Sequence, residues 1–145
     1  MFLFGSVDSL LSSSEMLFKF LNNSPFLTYI NIGLESADQE SLEILEKPVG
    51  VEQVKDAFRR IVDINKRFER IEMTANFVLG SMLPVSHRNS IIDLAGNGIA
   101  RYCQKGTIYI SPMDTGEVLR EIRKNIYWIK NSSRFPVYLY LIQRL

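Results

Sequence analysis

The chain has 145 residues, of which 46% are hydrophobic, and this is enough material for one domain with a buried core. Its 17 lysines and arginines nearly balance its 16 aspartates and glutamates, so net charge does not recruit nucleic acid or an acidic membrane surface. The single cysteine, Cys103, excludes an internal disulfide and a cysteine-based metal cage within the chain, and suits a reducing compartment. No apolar run approaches the roughly 18 residues of a membrane-spanning helix, so we expect a cytoplasmic protein without membrane contact.

Strands and helices alternate along the first half of the chain. Phe2 to Val7 is aromatic and apolar, as in a buried strand, and the serines before Glu15 predict the start of a helix that ends near Asn22. Tyr29 to Leu34 is the second predicted strand. Ser36 with Gln39 forms a capping box that predicts a short helix after this strand.

The same order continues through the second half. A helix is predicted from Val51 to Phe68, because its apolar residues recur every three or four positions, and Ile71 to Leu79 follows as the third strand. Pro84 opens another helix. Thr107 to Ser111 is the fourth strand, a helix capped by Asp114 or Thr115 comes next, and the chain closes with an apolar segment from residue 135 to 142.

Each predicted strand has one apolar and one polar face. A parallel sheet covered by helices on both faces should be almost continuously apolar, and these strands are not. We therefore predict an α/β fold: a partial (β/α) barrel of about four parallel strands, with helices on the outer face and a polar face that lines a cavity. The polar positions are Asn31, Glu35, Glu72, Thr74, Asn76, Thr107, Tyr109 and Ser111.

Ligands in such folds bind at the carboxyl ends of the strands. The side chains predicted there are Ser6, Asp8, Glu35, Asn76 and Ser111. A closed eight-stranded barrel takes about 250 residues, so we expect residues 1–145 to be the C-terminal portion of a barrel whose N-terminal half pairs with the first strand.

Two stretches resemble the radical S-adenosylmethionine (SAM) enzymes, closest to the group of anaerobic coproporphyrinogen oxidase and the methylthiotransferases. Residues 29–48 read YINIGLESADQESLEILEKP, and Ile32 to Ser36 fits the family pattern of apolar residues, Gly, a hydrophobe, Glu or Gln, then Ser. Asn76 to Gly80 fits the next strand of the family, with Asn in place of Asp. The resemblance covers roughly Phe2 to Ser111.

The resemblance implies a partial barrel that binds SAM beside a four-iron, four-sulfur cluster, which reductively cleaves SAM to a 5′-deoxyadenosyl radical. It implies that Glu35 and Ser36 lie near the ribose or amino acid moiety of SAM and that Lys47 lies near its carboxylate. Asn76 would lie near the ribose hydroxyls, and Ser111 completes the predicted cofactor-binding set.

Two departures limit what the chain can do alone. The cluster-binding CxxxCxxC motif is absent, and Cys103 cannot replace three thiolates. The family loop Gly-x-Pro-Gly-Glu-Thr is replaced by Gly80 to Ser86. We therefore expect a parent radical SAM enzyme with SAM, an iron–sulfur cluster and an unknown substrate, and a chain that is inactive and binds no cofactor by itself.

Simpler interpretations remain open for several residues. Glu35 could cap the following helix or pair with Lys47, and Asn76 could bond to a neighbouring strand. We expect His87 to be exposed and inert at a helix start, and Cys103 to be a small core thiol.

The alternative function is a stand-alone α/β module that binds a small molecule or another protein. Under either function, an exposed sheet edge or the C-terminal apolar segment could form an oligomer.

Overall fold

A computed structural model describes residues 1–96, 105–114 and 119–140 of the chain. The five strands are β1 (Phe2–Ser6), β2 (Thr28–Glu35), β3 (Ile71–Leu79), β4 (Ile108–Pro112) and β5 (Val137–Leu139). The helices are α1 (Val7–Ser12), α2 (Glu15–Asn22), α3 (Gln39–Ile44), α4 (Val51–Arg67), α5 (Val85–Gly96) and α6 (Leu119–Ser132).

The strands form one parallel sheet in the order β1-β2-β3-β4-β5. Because each strand lies beside its predecessor in the chain, right-handed crossovers place the connecting helices on the same face of the sheet. The predicted α/β fold with parallel strands and helices on one face is therefore confirmed. The sheet has five strands rather than about four, because Val137–Leu139 within the C-terminal apolar segment pairs with β4.

The core lies between the sheet and the helices. Alternate residues of β2 and β3 point into it, and the long amphipathic helix α4 covers them with Val54, Ala57, Phe58 and Ile61, which are almost fully buried. The buried strand residues are Ile30, Ile32, Leu34, Ile71, Met73, Ala75, Phe77, Leu79, Ile108 and Ile110.

The opposite face of the sheet, here called the open face, carries the polar positions. Strand register places its residues in rows across the sheet, and their side chains are half-buried or exposed, apart from Thr74, which is buried. The open face consists of Phe2, Phe4, Tyr29, Asn31, Gly33, Glu72, Thr74, Asn76, Val78, Tyr109, Ser111 and Tyr138.

Two local predictions were wrong. The first strand was predicted to run to Val7, but it ends at Ser6, because a short helix that was not predicted, α1, begins there. Ser6 caps this helix by accepting a hydrogen bond from the Ser9 backbone N–H. The cap of α3 is Asp38 rather than Ser36, because the Asp38 carboxylate accepts hydrogen bonds from the backbone and side chain of Ser41.

Cys103, Thr115 and the end of the C-terminal apolar segment lie outside the described residues. Within the ranges that are described, no helix combines the length and hydrophobicity needed to cross a membrane.

Candidate functional site

Among the described residues, two that are not glycine have a positive φ, and both lie next to α3. Glu35, with φ 66°, ends β2 before the helix, and Glu46, with φ 53°, follows the end of the helix. A side chain in this left-handed region costs about 1–2 kcal/mol, so the surrounding structure must hold both residues there. Such strained positions cluster at functional sites, which directs attention to the ends of α3.

Glu35 lies at the centre of a tight turn. The Ser36 backbone N–H donates to the Leu34 carbonyl at 2.8 Å, and this bond with a positive φ at Glu35 defines a rare, strained γ-turn. The register with β3 shifts here, since Gly33 lies beside Asn76 while Glu35 lies beside Phe77. The alternation along β2 already places Glu35 on the side of the open face, and the bulge shifts its position relative to β3.

Gly33 provides the space for this carboxylate. A Cβ atom on Gly33 would lie 2.8 Å from Oε1 of Glu35, which is closer than real Cβ contacts. The Glu35 carboxylate therefore lies over Gly33, and Gly33 is the neighbour of Asn76 across the β2–β3 pair.

Lys47 is positioned by the end of α3. The Lys47 N–H donates to the Leu42 carbonyl at 2.9 Å and the Glu46 N–H to the Glu43 carbonyl at 3.0 Å, with Glu46 left-handed between them. These two bonds form a Schellman motif, in which glycine usually occupies the left-handed position. The chain thereby reverses, and Lys47 Nζ comes within 3.7 Å of Glu35 Oε1.

The Glu35–Lys47 pair is accessible to solvent. The side chains are 23% and 38% exposed, and a pair of this kind contributes at most about 1 kcal/mol to stability. The ion pair between Glu35 and Lys47, which the sequence left open as an alternative role for Glu35, is therefore present in the structure. Since the pair is weak and open, both charges remain available to a ligand.

Asn76 and Ser111 form a second polar pair on the neighbouring strands. The Ser111 hydroxyl donates to Oδ1 of Asn76 at 3.0 Å, and Thr74 donates to Oδ1 of Asn31 at the same distance further along the sheet. In the part of the chain that the structure describes, the Asn76 amide NH₂ has no hydrogen-bond partner. It is a free donor on the open face.

Ser36 lies behind this face and is fully buried. Its hydroxyl accepts a hydrogen bond from the Asp38 N–H at 3.0 Å and lies 2.7 Å from Nδ1 of His87. His87 Nε2 lies 2.6 Å from the Val78 carbonyl, which can only accept. Nε2 therefore carries the proton, and Nδ1 accepts from the Ser36 hydroxyl.

The expectation that His87 is exposed was wrong. Its side chain is 1% exposed, and burial lowers the pKa of His87 below its ordinary value of 6.5, which keeps the ring neutral. The signal for this burial was present in the sequence, because His87, Ile91 and Leu94 follow helical spacing and all three face the core.

The Ser36–His87 contact is not a nucleophile–base pair. A serine nucleophile must reach its substrate, and Ser36 has no exposed surface. The second ring nitrogen of His87 is also committed to the Val78 carbonyl. Both residues support the backbone of the site rather than react.

The described residues contain no group of three or more His, Cys, Asp or Glu side chains that could hold a metal ion. A cluster of the four-iron, four-sulfur type therefore finds no ligand set in this part of the chain.

The structure thus brings four of the five predicted site residues together in two pairs at the carboxyl ends of β2, β3 and β4. Glu35 lies beside Lys47, and Asn76 lies beside Ser111. Ser36 is set behind them. Ser6 lies beside Gly33 in the β1–β2 pair, and its side chain caps α1. That any of these residues contacts SAM stays a prediction.

No protein-family model and no curated protein matches the sequence. Among solved structures, a radical SAM methyltransferase from Sphaerobacter thermophilus aligns with a TM-score of 0.58 and 12% sequence identity. The alignment covers 92% of this chain and 39% of that protein, so the chain spans less than half the length of its structural relative. At this identity the likeness establishes a shared fold, of the type found in part of a radical SAM enzyme.

Proposed function

We propose that this chain forms one wall of a radical SAM barrel and binds SAM at the carboxyl ends of its strands. The shared fold supports the proposal, as do the polar pairs at that end of the open face. The whole enzyme would extend beyond the part represented here.

The Glu35–Lys47 pair is the observation that carries the proposal. The amino acid end of SAM has one ammonium and one carboxylate group, and it is complementary to two opposite protein charges placed side by side. The ammonium group would bind Glu35 and the carboxylate would bind Lys47 through charge-assisted hydrogen bonds. The 3.7 Å separation and partial exposure mean that a ligand would replace only a weak contact.

The second pair would bind the ribose. The free NH₂ of Asn76 can donate to one ribose hydroxyl. The Ser111 hydroxyl already donates to Asn76, and its oxygen can accept a hydrogen bond from the adjacent ribose hydroxyl. Ser36 would act from behind by fixing the Glu35 turn.

The iron–sulfur cluster would be held by a different part of the enzyme. Neither the described residues nor the sequence offers three cysteines, so we place the CxxxCxxC ligands in the missing N-terminal half of the barrel. That cluster would supply the electron that reductively cleaves SAM. This chain would bind and orient SAM, and we do not expect it to catalyse the reaction alone.

The edge of the sheet at β1 supports the existence of such a partner. Phe2 and Phe4 are 77% and 73% exposed on the open face. On the helix face of the same edge lies an apolar cleft of about 200 Å³, lined by Leu3, Leu10, Leu17 and other side chains. A preceding strand and helix of the barrel would cover both surfaces and pair with the unprotected edge.

The experiment joins this chain to a cluster-bearing N-terminal half barrel, followed by anaerobic reconstitution. We expect 5′-deoxyadenosine to form, and Lys47→Met and Glu35→Gln to weaken SAM binding by about tenfold or more without loss of the cluster. Lys55→Met is the matched control, because Lys55 pairs with Glu52 on the surface of α4.

An assembled cluster that never yields 5′-deoxyadenosine would contradict the proposal. Equal SAM affinity in the Lys47 and Lys55 variants would contradict the assigned site. If the isolated chain instead forms a stable oligomer that binds ligands without a partner, the stand-alone module is the better description.

A further inference from the structure

We propose that His87 is a positioning residue that holds the Glu35 turn in its strained form, so that the Glu35–Lys47 pair is preformed for its ligand. This inference rests on the proposed function for the identity of the ligand. The hold on the turn is a property of the chain alone and can be measured without SAM.

The Glu35 turn needs an external hold. A non-glycine residue with φ 66° is higher in free energy than the same residue in a sheet or helix, so the turn persists only if its neighbours fix it. Those neighbours are Leu34 and Ser36, and neither has exposed surface. Leu34 is held by apolar packing, whereas the polar side chain of Ser36 must be held by hydrogen bonds.

His87 provides the acceptor for the Ser36 hydroxyl. Within the described residues, the other acceptor near this hydroxyl is the Asp38 carbonyl, at 3.4 Å, while His87 Nδ1 is at 2.7 Å. The hydroxyl therefore donates to His87 while its oxygen accepts from the Asp38 N–H. Loss of the imidazole would leave a buried hydroxyl with a poor partner at the residue that closes the turn.

His87 is itself fixed on its other side. Its Nε2–H donates to the Val78 carbonyl of β3 at 2.6 Å, and its backbone N–H donates to the Pro84 carbonyl at 3.1 Å. The imidazole thus connects three parts of the site: the end of β3, the start of α5 and the turn after β2.

Two substitutions separate the two hydrogen bonds of the ring. The amide oxygen introduced by His87→Asn lies near the place of Nδ1 and can still accept from Ser36, but it loses Val78. The amide nitrogen introduced by His87→Gln lies near the place of Nε2 and can still donate to Val78, but it loses Ser36. Each variant lacks one hydrogen bond, so the comparison distinguishes the hold on the turn from a general loss of stability.

The readout is hydrogen–deuterium exchange of the Ser36 amide, which closes the turn by donating to Leu34. We expect exchange about tenfold faster than in the unmodified chain for His87→Gln, and little changed for His87→Asn. Ser90→Ala is the control, because Ser90 donates to the His87 carbonyl at 2.7 Å without touching the turn. In the fused enzyme, the KM for SAM should rise for His87→Gln and stay near its original value for His87→Asn.

The outcomes separate this proposal from the proposed function. Equal Ser36 exchange in the two His87 variants would overturn the positioning role, whether or not SAM binds. Faster exchange in His87→Gln together with no SAM binding by the fused protein would retain the role and reject the function. If the variants do not fold, nitrogen NMR of the unmodified chain decides: a ring protonated at Nδ1 rather than Nε2 would overturn the proposal.

Discussion

At the scale of single residues, the candidate site depends on glutamates in backbone conformations that glycine adopts more readily. Glu35 and Glu46 are both left-handed, and together they set the geometry of the Glu35–Lys47 pair. At Glu46 only the backbone is used, but at Glu35 the carboxylate itself faces the site. Glu35 therefore presents its charge to the site at a cost in stability.

Glu35→Gly and Glu35→Ala test this cost. Both substitutions remove the carboxylate and its ion pair, so their difference reports the backbone. We expect the glycine variant to be more stable than the alanine variant by about 1 kcal/mol, because alanine retains the penalty of a positive φ. Urea unfolding of the two variants measures the difference, and equal stabilities would show that the turn is not strained.

The buried imidazole predicts how stability depends on pH. Burial lowers the pKa of His87 in the folded chain, whereas the unfolded chain takes up the proton near 6.5. Between the folded pKa and 6.5 the unfolded state binds more protons, so the free energy of unfolding rises with pH in this window and levels off above it. Urea unfolding at a series of pH values should show this slope in the unmodified chain.

The slope in this window should be absent from His87→Asn. Loss of stability at lower pH should remain in that variant, because the pKa of Asp38 is also lowered: burial acts to raise it, but hydrogen bonds from Ser41 and Ser86 outweigh burial. Protonation of Asp38 therefore removes stability as pH falls below about 3.8. A slope near 6.5 that survives in His87→Asn would assign it to another group.

At the scale of helices and strands, periodic patterns predicted most of the fold. The bounds of β3 and the start of α4 were predicted from the sequence, since a long apolar alternation and a long amphipathic stripe are strong local signals. The helix α1 was missed because its apolar residues continue the run of β1 and its cap, Ser6, also belongs to that strand.

The site was less predictable than the fold. The family resemblance pointed to Glu35, Lys47 and Asn76, and position at a strand end pointed to Ser111. The contact between Glu35 and Lys47, however, depends on two left-handed residues that propensity would not place there. The role of Ser36 was hidden for a different reason: its partner His87 is distant in sequence and approaches only when α5 packs on the sheet.

The contact between α5 and α6 gives a prediction at this scale. A Cβ atom on Gly96 would lie 2.7 Å from the Ser132 carbonyl oxygen, which belongs to the backbone and cannot rotate away. We expect Gly96→Ala to lower stability by about 1 kcal/mol or more, despite the better helix propensity of alanine. Thermal unfolding measures the change, and Asn89→Ala on the exposed side of α5 is the control. A gain in stability would show that the helices can separate without cost.

At the scale of the whole molecule, the β1 edge of the sheet exposes apolar surface on both of its faces. β1 has large exposed aromatic side chains on the open face and an apolar cleft on the helix face, and the helix α2 also exposes Met16 and Phe20. Large exposed apolar surface of this kind often meets another chain or domain. We expect the isolated chain to associate through this edge at high concentration.

Phe4→Lys tests this association. A lysine on an edge strand opposes strand pairing with a second copy, and Phe4 is exposed, so folding should change by less than about 0.5 kcal/mol. Sedimentation velocity should show weaker association for Phe4→Lys than for the unmodified chain. Tyr127→Lys, an exposed aromatic on α6, is the control and should not alter association. An unmodified chain that stays monomeric at all concentrations would reject this edge as an interface.

The consecutive order of the sheet has a consequence for biosynthesis. Every strand pairs with the strand made just before it, so the pairing of β1, β2 and β3 does not depend on strands that are synthesised later. The sheet can therefore form one strand at a time in the order of synthesis: β2 pairs with β1 first, and β5 pairs with β4 last.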